Sequence, residues 1–166
     1  PPRSTLFPYT TLFRSVLGLV AFDHATKLAT VAWLKPTSFL DVPIVTIIPG
    51  LFQLRYAENR GAAFSLFDGN VGALAVVSAV ASVLIAWWWT RLPAEERWGR
   101  WALVMILSGA LGNLIDRAFR GFVVDMFDAH ITLGGELYQW PVFNVADSLI
   151  CVGVGIVMVR AWMGRM

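Results

Sequence analysis

Residues 109–128 read GALGNLIDRAFRGFVVDMFD, an apolar helical pattern that runs into a loop, and residues 143–154 read FNVADSLICVGV, the start of another apolar helix. Each segment carries an aspartate where it meets the membrane surface, Asp125 in the first and Asp147 in the second. Ionisable groups close to hydrocarbon are costly and usually mark functional sites. The two carboxylates therefore mark the candidate functional site.

The composition is that of an integral membrane protein. Of 166 residues, 57% are hydrophobic and 14% are charged, whereas soluble domains have about 25% charged residues; the mean hydropathy is +0.65. A helix needs about 20 apolar residues to cross a bilayer. The sequence predicts an all-α membrane protein, a four-transmembrane-helix bundle that forms a single domain over residues 16–166. The spans are predicted at about 16–34, 71–90, 101–119 and 142–162.

The segment between the first and second spans predicts a small extracytoplasmic β-hairpin or sheet. Residues 42–48 and 51–56 are β-prone and are separated by Pro49 and Gly50, which signal a turn. We expect this sheet to lie on the membrane surface. Residues 120–141 are expected to form a loop that contains the short strand-like run 123–128, with Asp128 and His130 as solvated loop residues.

Residues 1–15, PPRSTLFPYTTLFRS, match neither a helical period nor a signal peptide. We set them apart as an anomalous N-terminal tail whose native origin the sequence leaves open, and we expect them to be disordered. The first helix is therefore predicted to start at Val16.

The third and fourth spans each carry small and polar residues at spacings of 0, 3, 4 and 7, which place them on one helix face. These are Gly109, Gly112, Asn113 and Asp116 in the third span, and Asn144, Asp147, Ser148 and Cys151 in the fourth. The glycines also permit close helix packing, and Asn113 and Asp116 could equally form a structural hydrogen-bonded pair between helices. Because consecutive residues diverge on a helix, Asp116 needs a partner other than Arg117.

The first span carries Asp23 and Lys27, which are spaced i, i+4 and so lie on one helix face. One interpretation is that they neutralise each other and stabilise the bundle. The other is that they help to shape a site near the outer end of the helix.

The distribution of basic residues predicts that both termini are cytoplasmic. Four spans place the termini on the same side, and seven Lys and Arg residues lie in the tails and the 91–100 loop, against six elsewhere. The third helix then runs outward and the fourth runs back, so Asp125 and Asp147 reach the same outer face. Residues 87–89, Trp-Trp-Trp, are expected to lie at a membrane interface.

Two carboxylates in a partly dehydrated site suit the hydrolysis of a peptide bond. They cannot both ionise easily, so one keeps its proton while the other stays charged. The charged carboxylate can take a proton from water while the protonated one donates a hydrogen bond to the scissile carbonyl. On the residues alone, a proton or cation relay in a small transporter and a structural role in helix packing stay open.

Other chemistries have little support. Two histidines occur outside any ligand-spaced motif, so neither a metal nor another cofactor is expected. The face that carries the aspartates has no Ser-Lys or Ser-His arrangement for acyl-enzyme chemistry. The basic residues are scattered and the net charge is +2, which argues against nucleic-acid binding. The single cysteine, Cys151, excludes an intrachain disulfide.

Four motifs in this order resemble the lipoprotein signal peptidases, also called signal peptidase II, a family of aspartic membrane proteases. They are FDHATKLA at 22–29, NRGAAFSLF at 59–67, GALGNLIDRAFRGFVVDMFD at 109–128 and FNVADS at 143–148. The resemblance covers about residues 16–162. Presenilin-like intramembrane proteases are disfavoured because the sequence contains no GxGD motif.

The resemblance implies which residues form the site. Asp125 falls on the aspartate of the family's VVD motif and Asp147 on that of its FNxAD motif, which makes them the expected catalytic dyad. Ser108 stands where the family usually has the first glycine of a pair. The residues expected to position the substrate and the dyad are Asn59, Gly61, Ala63, Gly109, Asn113, Asp116, Arg117, Asn144, Ala146, Asp23 and Lys27.

The resemblance also implies a substrate and a location. The family cleaves bacterial prolipoproteins just before a cysteine that carries diacylglycerol, and it thereby releases the signal peptide. It implies a bacterial cytoplasmic (inner) membrane location with the active site at the extracytoplasmic face. Membrane lipids are then expected partners, globomycin is expected to inhibit from the same cleft, and the protein is expected to be a monomer.

Overall fold

The computed structural model describes residues 6–38, 41–61 and 70–164. This part of the chain contains four helices and four strands. In chain order they are α1 (Leu6–Leu34), β1 (Ile44–Ile48), β2 (Phe52–Asn59), α2 (Val71–Arg91), α3 (Arg97–Arg120), β3 (Val123–Leu133), β4 (Glu136–Gln139) and α4 (Val145–Trp162).

Three of the described helices, α2, α3 and α4, are long and apolar enough to cross a membrane. Side chains along α2 such as Val77 and Val83 are about two-thirds exposed, and so large an apolar surface requires a non-aqueous surrounding. α1 has 29 residues, but Asp23 and Lys27 interrupt its apolar pattern. The prediction of membrane-spanning helices with a small sheet is therefore confirmed, and a fourth span in α1 stays a prediction.

α1 begins at Leu6, so the helix extends into the stretch that the sequence led us to set apart as a disordered tail. Leu12, Val16 and Leu19 all pack against the same buried cluster. Their spacing of four and three residues is that of one helix face. The apolar period of the first span thus starts before Val16.

The chain forms two compact units. The helical unit comprises residues 6–23, 76–115 and 145–164, and the sheet unit comprises the described residues of 24–75 and 116–144. The helices α1, α2 and α3 each contribute residues to both units. The core of the helical unit is formed by Trp89, Leu103 and Val104, against which partly buried side chains of α1, α2 and α3 pack.

The three tryptophans at the end of α2 do not share one environment. Trp87 and Trp88 are exposed, as an interfacial location requires. Trp89 is only 4% exposed, and the guanidinium of Arg100 lies 3.8 Å from the centre of its ring. Trp89 therefore faces the core of the helical unit instead of the surroundings of α2, and the interfacial location of residues 87–89 stays a prediction.

α3 and α4 approach each other closely in the helical unit at two points. A Cβ on Gly109 would overlap the carbonyl oxygen of Ala146, and a Cβ on Gly153 would lie 2.7 Å from the carbonyl oxygen of Ala102. The two contacts are seven residues apart on each helix, which corresponds to two helical turns. Glycine is therefore required at both points for the helices to pack.

The sheet unit contains an antiparallel sheet in the order β1-β2-β3-β4. The predicted hairpin of β1 and β2 is present, and its turn contains Gly50 with a φ of 72°. The 120–141 segment is not a loop, because β3 extends over 11 residues and turns back into β4. Gly134 and Gly135 both have positive φ at that turn, as a tight two-residue hairpin turn requires.

A bulge in β2 changes its register against β3. Leu54 lies opposite Phe127 while Ala57 lies opposite Asp125, so two residues of β2 face the single residue Met126. Bulges of this kind occur next to active sites, where they re-aim a side chain. Here the bulge brings the end of β2, with Asn59, alongside Asp125.

Candidate active site

Asp125 lies in β3 and is only 1% exposed. Two amide groups hold its carboxylate: Asn59 donates from Nδ2 to Oδ2 at 3.0 Å, and Asn144 donates from Nδ2 to Oδ1 at 2.6 Å. Both oxygens of this carboxylate are thus oriented by side chains that the resemblance had assigned to the site.

The backbone that precedes α4 is fixed against β3, which explains the position of Asn144. The Phe143 N–H donates to the Phe127 carbonyl at 3.1 Å, and the Phe143 carbonyl accepts from Phe127 at 2.8 Å and from Met126 at 3.0 Å. The Asn144 amide also donates to the Val124 carbonyl at 3.3 Å. The strand therefore holds Asn144 at several points, and the amide is aimed at Asp125.

Asn59 and Arg117 together fix the backbone of Gly61. The Gly61 N–H donates to Asn59 Oδ1 at 3.1 Å, and Arg117 Nη2 donates to the Gly61 carbonyl at 3.1 Å. The sheet unit thus brings these three expected site residues together. Ala63, which belongs to the same motif, lies outside the described residues.

Asp147 lies in the first turn of α4, in the helical unit. Its Oδ1 accepts a hydrogen bond of 2.7 Å from Asn113 Nδ2 of α3. The N-terminal end of a helix carries a partial positive charge and is a favourable place for a carboxylate. Unlike Asp125, this side chain is partly exposed.

Asp23 is fully buried in α1, and its Oδ1 accepts a hydrogen bond of 2.9 Å from the backbone N–H of Ala146. A Cβ on Gly112 would lie 2.5 Å from Asp23 Oδ2, so the glycine makes room for the carboxylate. The structure therefore places Asp23 beside the start of α4, immediately before Asp147.

Asp116 forms an ion pair with Lys27, whose Nζ lies 3.1 Å from Oδ2, and another with Arg120, whose Nε lies 3.1 Å from Oδ1. Its Oδ2 also accepts a hydrogen bond of 3.1 Å from the Val124 N–H. The expectation that Asp116 needs a partner other than Arg117 is confirmed. Arg120 was missed as a partner, although its i, i+4 spacing from Asp116 was visible in the sequence.

Asp128 was wrongly expected to be a solvated loop residue, because it is fully buried in β3. It accepts hydrogen bonds from Gln53 at 2.9 Å, Arg55 at 2.8 Å and Gln139 at 2.7 Å. Burial by itself would raise the pKa of Asp128, but these hydrogen bonds and the charge of Arg55 outweigh it and lower the pKa. Asp128 thus connects β2, β3 and β4 as an ionised group.

The end of β2 carries a second polar cluster. Burial and the hydrogen bond that it donates to Glu58 raise the pKa of Tyr56 to about 12. Burial would raise the pKa of Glu58, but the bonds from Tyr56 and Arg60 outweigh it and lower that pKa. Tyr56 therefore remains a hydrogen-bond donor at neutral pH, next to the strand end that carries Asn59.

Asp125 and Asp147 are each held by amide groups within their own unit, and the described residues contain no group of three or more potential metal ligands. Asp125 belongs to the sheet unit and Asp147 to the helical unit. Amide donors that fix a carboxylate in one orientation suit proton transfer to and from a bound substrate, which depends first on geometry.

A family model described as signal peptidase (SPase) II matches residues 15–163. The lipoprotein signal peptidase of Syntrophotalea carbinolica is 40% identical over 147 residues, which cover 87% of this chain and 86% of the relative. That of Geobacter sulfurreducens is 41% identical with the same two coverages, and that of Clostridium acetobutylicum is 39% identical over 84% of each chain.

Two solved structures are also similar, both of bacterial membrane enzymes determined by the in meso method, at 2.3 Å and 1.9 Å resolution. The first has a TM-score of 0.79 and 25% identity, and the match covers 93% of this chain and 88% of that chain. The second has a TM-score of 0.76 and 25% identity, and the match covers 92% of each. The family expected from the four motifs is confirmed: the chain belongs to the signal peptidase II family, the aspartic peptidases that remove signal peptides from prolipoproteins.

Proposed function

We propose that this chain is an aspartic endopeptidase that cuts diacylglyceryl-modified prolipoproteins just before the lipidated cysteine, with Asp125 and Asp147 as its catalytic pair. The observation that carries the proposal is the pair of amide-held carboxylates. Asn59 and Asn144 orient Asp125, and Asn113 orients Asp147. These are the aspartates of the two family motifs.

In this mechanism one aspartate is ionised and the other is protonated. The ionised carboxylate takes a proton from water as the oxygen attacks the scissile carbonyl carbon, while the protonated carboxyl donates a hydrogen bond to the carbonyl oxygen. When the C–N bond breaks, the proton passes to the leaving amine, and the carboxyls exchange roles. The asparagines keep both carboxylates in reacting orientations throughout.

The Gly61 backbone is proposed to align the substrate. Its N–H is fixed by Asn59 and its carbonyl by Arg117, so this part of the chain has a fixed position beside Asp125. Because these bonds fix the segment in advance, an extended peptide can pack beside it at little further cost in ordering entropy. Ala63 is assigned to the same role through the family motif alone.

The membrane arrangement is proposed from the helices and the sheet. α1 is inferred to be the fourth span, with both termini cytoplasmic and the catalytic pair at the extracytoplasmic face of the bacterial inner membrane. Ile44, Ile47 and Ile48 of β1 are about half exposed, which suits a strand that lies against lipid. The protein is proposed to act as a monomer on a substrate that arrives through the bilayer.

The test is cleavage of a diacylglyceryl-modified prolipoprotein by the purified protein, beside the same precursor without lipid. The wild type should cut only the lipidated precursor, and Asp125→Asn and Asp147→Asn should each remove cleavage while the protein stays folded. Asp41→Asn changes an exposed carboxylate and is the matched control, which should keep full activity. Turnover by either dyad variant would contradict the assignment. Globomycin should compete with the lipidated precursor.

A further inference from the structure

Each proposed catalytic aspartate follows a residue whose backbone N–H is bound by a buried carboxylate from another element. In the sheet unit, Asp116 of α3 accepts from the N–H of Val124 at 3.1 Å, directly before Asp125. In the helical unit, Asp23 of α1 accepts from the N–H of Ala146 at 2.9 Å, directly before Asp147. The same device therefore occurs twice, on a strand and on a helix end.

All four groups in these two bonds are buried. Val124, Ala146 and Asp23 have no exposed surface, and Asp116 is 1% exposed. A bond from an N–H to an ionised acceptor is shorter and about twice as strong as one between neutral groups. A buried N–H that loses its acceptor keeps the full cost of desolvation. Both peptide planes are therefore held firmly in one orientation.

The two carboxylates are accommodated by their surroundings. Asp116 lies between the cationic groups of Lys27 and Arg120, each 3.1 Å from one of its carboxylate oxygens. Asp23 lies against Gly112, where a side chain would occupy the space of its carboxylate. Lys27 and Gly112 thus have comparable roles, because each supports the carboxylate that binds the peptide.

We propose that Asp23 and Asp116 are positioning residues for the catalytic pair, each acting through the peptide that precedes one catalytic aspartate. The inference rests on the proposed function of Asp125 and Asp147. An asparagine fixes the carboxylate of each catalytic residue, and the carboxylate of Asp23 or Asp116 fixes its backbone. Two fixed points set both the place and the direction of the side chain, as a reacting group requires.

The helical unit is tested with Asp23→Ala and Asp23→Asn. Asp23→Ala removes the acceptor of the Ala146 N–H, and kcat should fall by about 100-fold with KM unchanged, the loss expected for a reacting group displaced by about 1 Å. Asp23→Asn keeps a neutral acceptor and should lower kcat by about tenfold. Ser108→Ala is the control, since Ser108 is as deeply buried and donates only to Val104 in its own helix.

The sheet unit is tested with Asp116→Ala and Asp116→Asn, each combined with Lys27→Met so that no lysine charge is left buried beside a neutral residue. The Ala version should lower kcat by about 100-fold and the Asn version by about tenfold, again with KM unchanged. Thr30→Val is the control, because Thr30 is a buried polar residue of α1 that contacts Met126 of β3 instead of the Val124 N–H.

The backbone signals separate a positioning role from a general loss of structure. With ¹⁵N-labelled alanine and valine, the amide signal of Ala146 should move in the Asp23 variants and that of Val124 in the Asp116 variants, and each should stay unchanged in the controls. If an Ala variant does not fold, the matching Asn variant provides the test. If its amide signal moves while kcat stays at the wild-type value, the positioning role is contradicted. The positioning role is also contradicted if kcat falls in proportion to the loss of thermal stability in all variants, including the control variants.

The dyad variants distinguish a failure of the proposed function from a failure of the positioning roles. If Asp125→Asn or Asp147→Asn remained active, the catalytic pair itself would be wrong, and with it the positioning roles. If both dyad variants were inactive while Asp23→Ala and the Asp116→Ala, Lys27→Met double variant kept wild-type kcat, only the positioning inference would fall.

Discussion

Asp125 and Asp147 carry the same functional group, but the molecule holds them in different ways. Asp125 is enclosed in a sheet, is bonded by two asparagines, and follows a peptide bound by a carboxylate that lies between two cations. Asp147 is partly exposed at a helix end, is bonded by Asn113, and follows a peptide bound by Asp23 beside a glycine.

The two surroundings show that a carboxylate which binds a backbone N–H can be held in place either by neighbouring charges or by close helix packing. In the sheet unit, the buried carboxylate is held by its charge, because Lys27 and Arg120 lie 3.1 Å from it. In the helical unit, close approach matters more, because Gly109 and Gly112 leave no space for a side chain. The sheet unit should therefore be sensitive to changes of charge, and the helical unit to changes of size.

The largest expected effect is that of Asp116→Ala on the free energy of unfolding. Removal of one partner of a buried ion pair costs about 3–5 kcal/mol, because an uncompensated charge is left behind. Asp23→Ala removes the acceptor of a buried N–H and should cost less, about 1–3 kcal/mol. Thermal and denaturant unfolding in the same detergent compares the two. If the two variants lost the same free energy of unfolding, the proposed difference between a sheet unit that depends on charge and a helical unit that depends on close packing would be wrong.

Lys27→Met tests the origin of that cost. Combined with Asp116→Ala, it removes the buried cation and should restore part of the lost stability, as a double-mutant cycle would reveal. If the double variant were less stable than Asp116→Ala alone, the ion pair would not be the cause.

The next effect concerns size in the helical unit. Gly109→Ala and Gly153→Ala each add a methyl group where a backbone carbonyl lies too close, and each should cost about 1–3 kcal/mol of unfolding free energy through overpacking. Gly155→Ala, two residues from Gly153 on the same helix, has nothing within 4 Å of the added Cβ. This control should be neutral or stabilising by up to about 1 kcal/mol. If Gly155→Ala destabilised the protein as strongly as Gly153→Ala, the cost could not be attributed to the close contact at Gly153, because alanine is the better helix former at both positions.

A smaller effect is expected for Asp128→Asn, and it should depend on pH. The folded pKa of Asp128 is lowered, so its stabilising contribution is complete above the ordinary aspartate pKa of about 3.9 and is lost as the pH falls through the lower folded value. The variant should be less stable than the wild type by about 1–2 kcal/mol at neutral pH. Unfolding measured from neutral to acidic pH should show this difference shrinking. A constant difference would show that the charge of Asp128 is not what joins the strands.

The smallest effect is expected for Glu96→Gln, which breaks the ion pair between Glu96 and Arg160. Both side chains are partly exposed, so the pair should contribute at most about 1 kcal/mol, and less at high salt. Thermal unfolding at low and high salt concentration measures it. A cost comparable to that of Asp116→Ala would mean that burial does not decide the value of an ion pair in this molecule.

The features that the sequence predicted well depend on local patterns. The apolar runs predicted the helices, and Pro49 and Gly50 predicted the β1–β2 hairpin. The spacing of Gly109 and Gly112 indicated close approach on α3, which the structure bears out at both glycines. Ion-pair geometry on a single helix could also have identified Arg120 as a partner of Asp116, from their i, i+4 spacing.

The features that the sequence did not predict depend on contacts between distant segments. Asp128 looks like a loop carboxylate until β2 and β4 supply Gln53, Arg55 and Gln139. Gly153 looks like any glycine in an apolar helix until α3 brings Ala102 against it. The assignment of Asp125 and Asp147 as a catalytic pair comes from family motifs, and it stays a prediction that the cleavage assay tests.

The order of the strands has a consequence for synthesis of the chain. β2 pairs with β1, its neighbour in sequence, but its other edge pairs with β3, which follows only after α2 and α3. At about 5–20 residues per second, several seconds pass before β3 exists. During that interval the new hairpin has an open edge and apolar side chains on β1, features that favour pairing with another chain. The strand carrying Asp125 can thus close the sheet only after α2 and α3 have been synthesised.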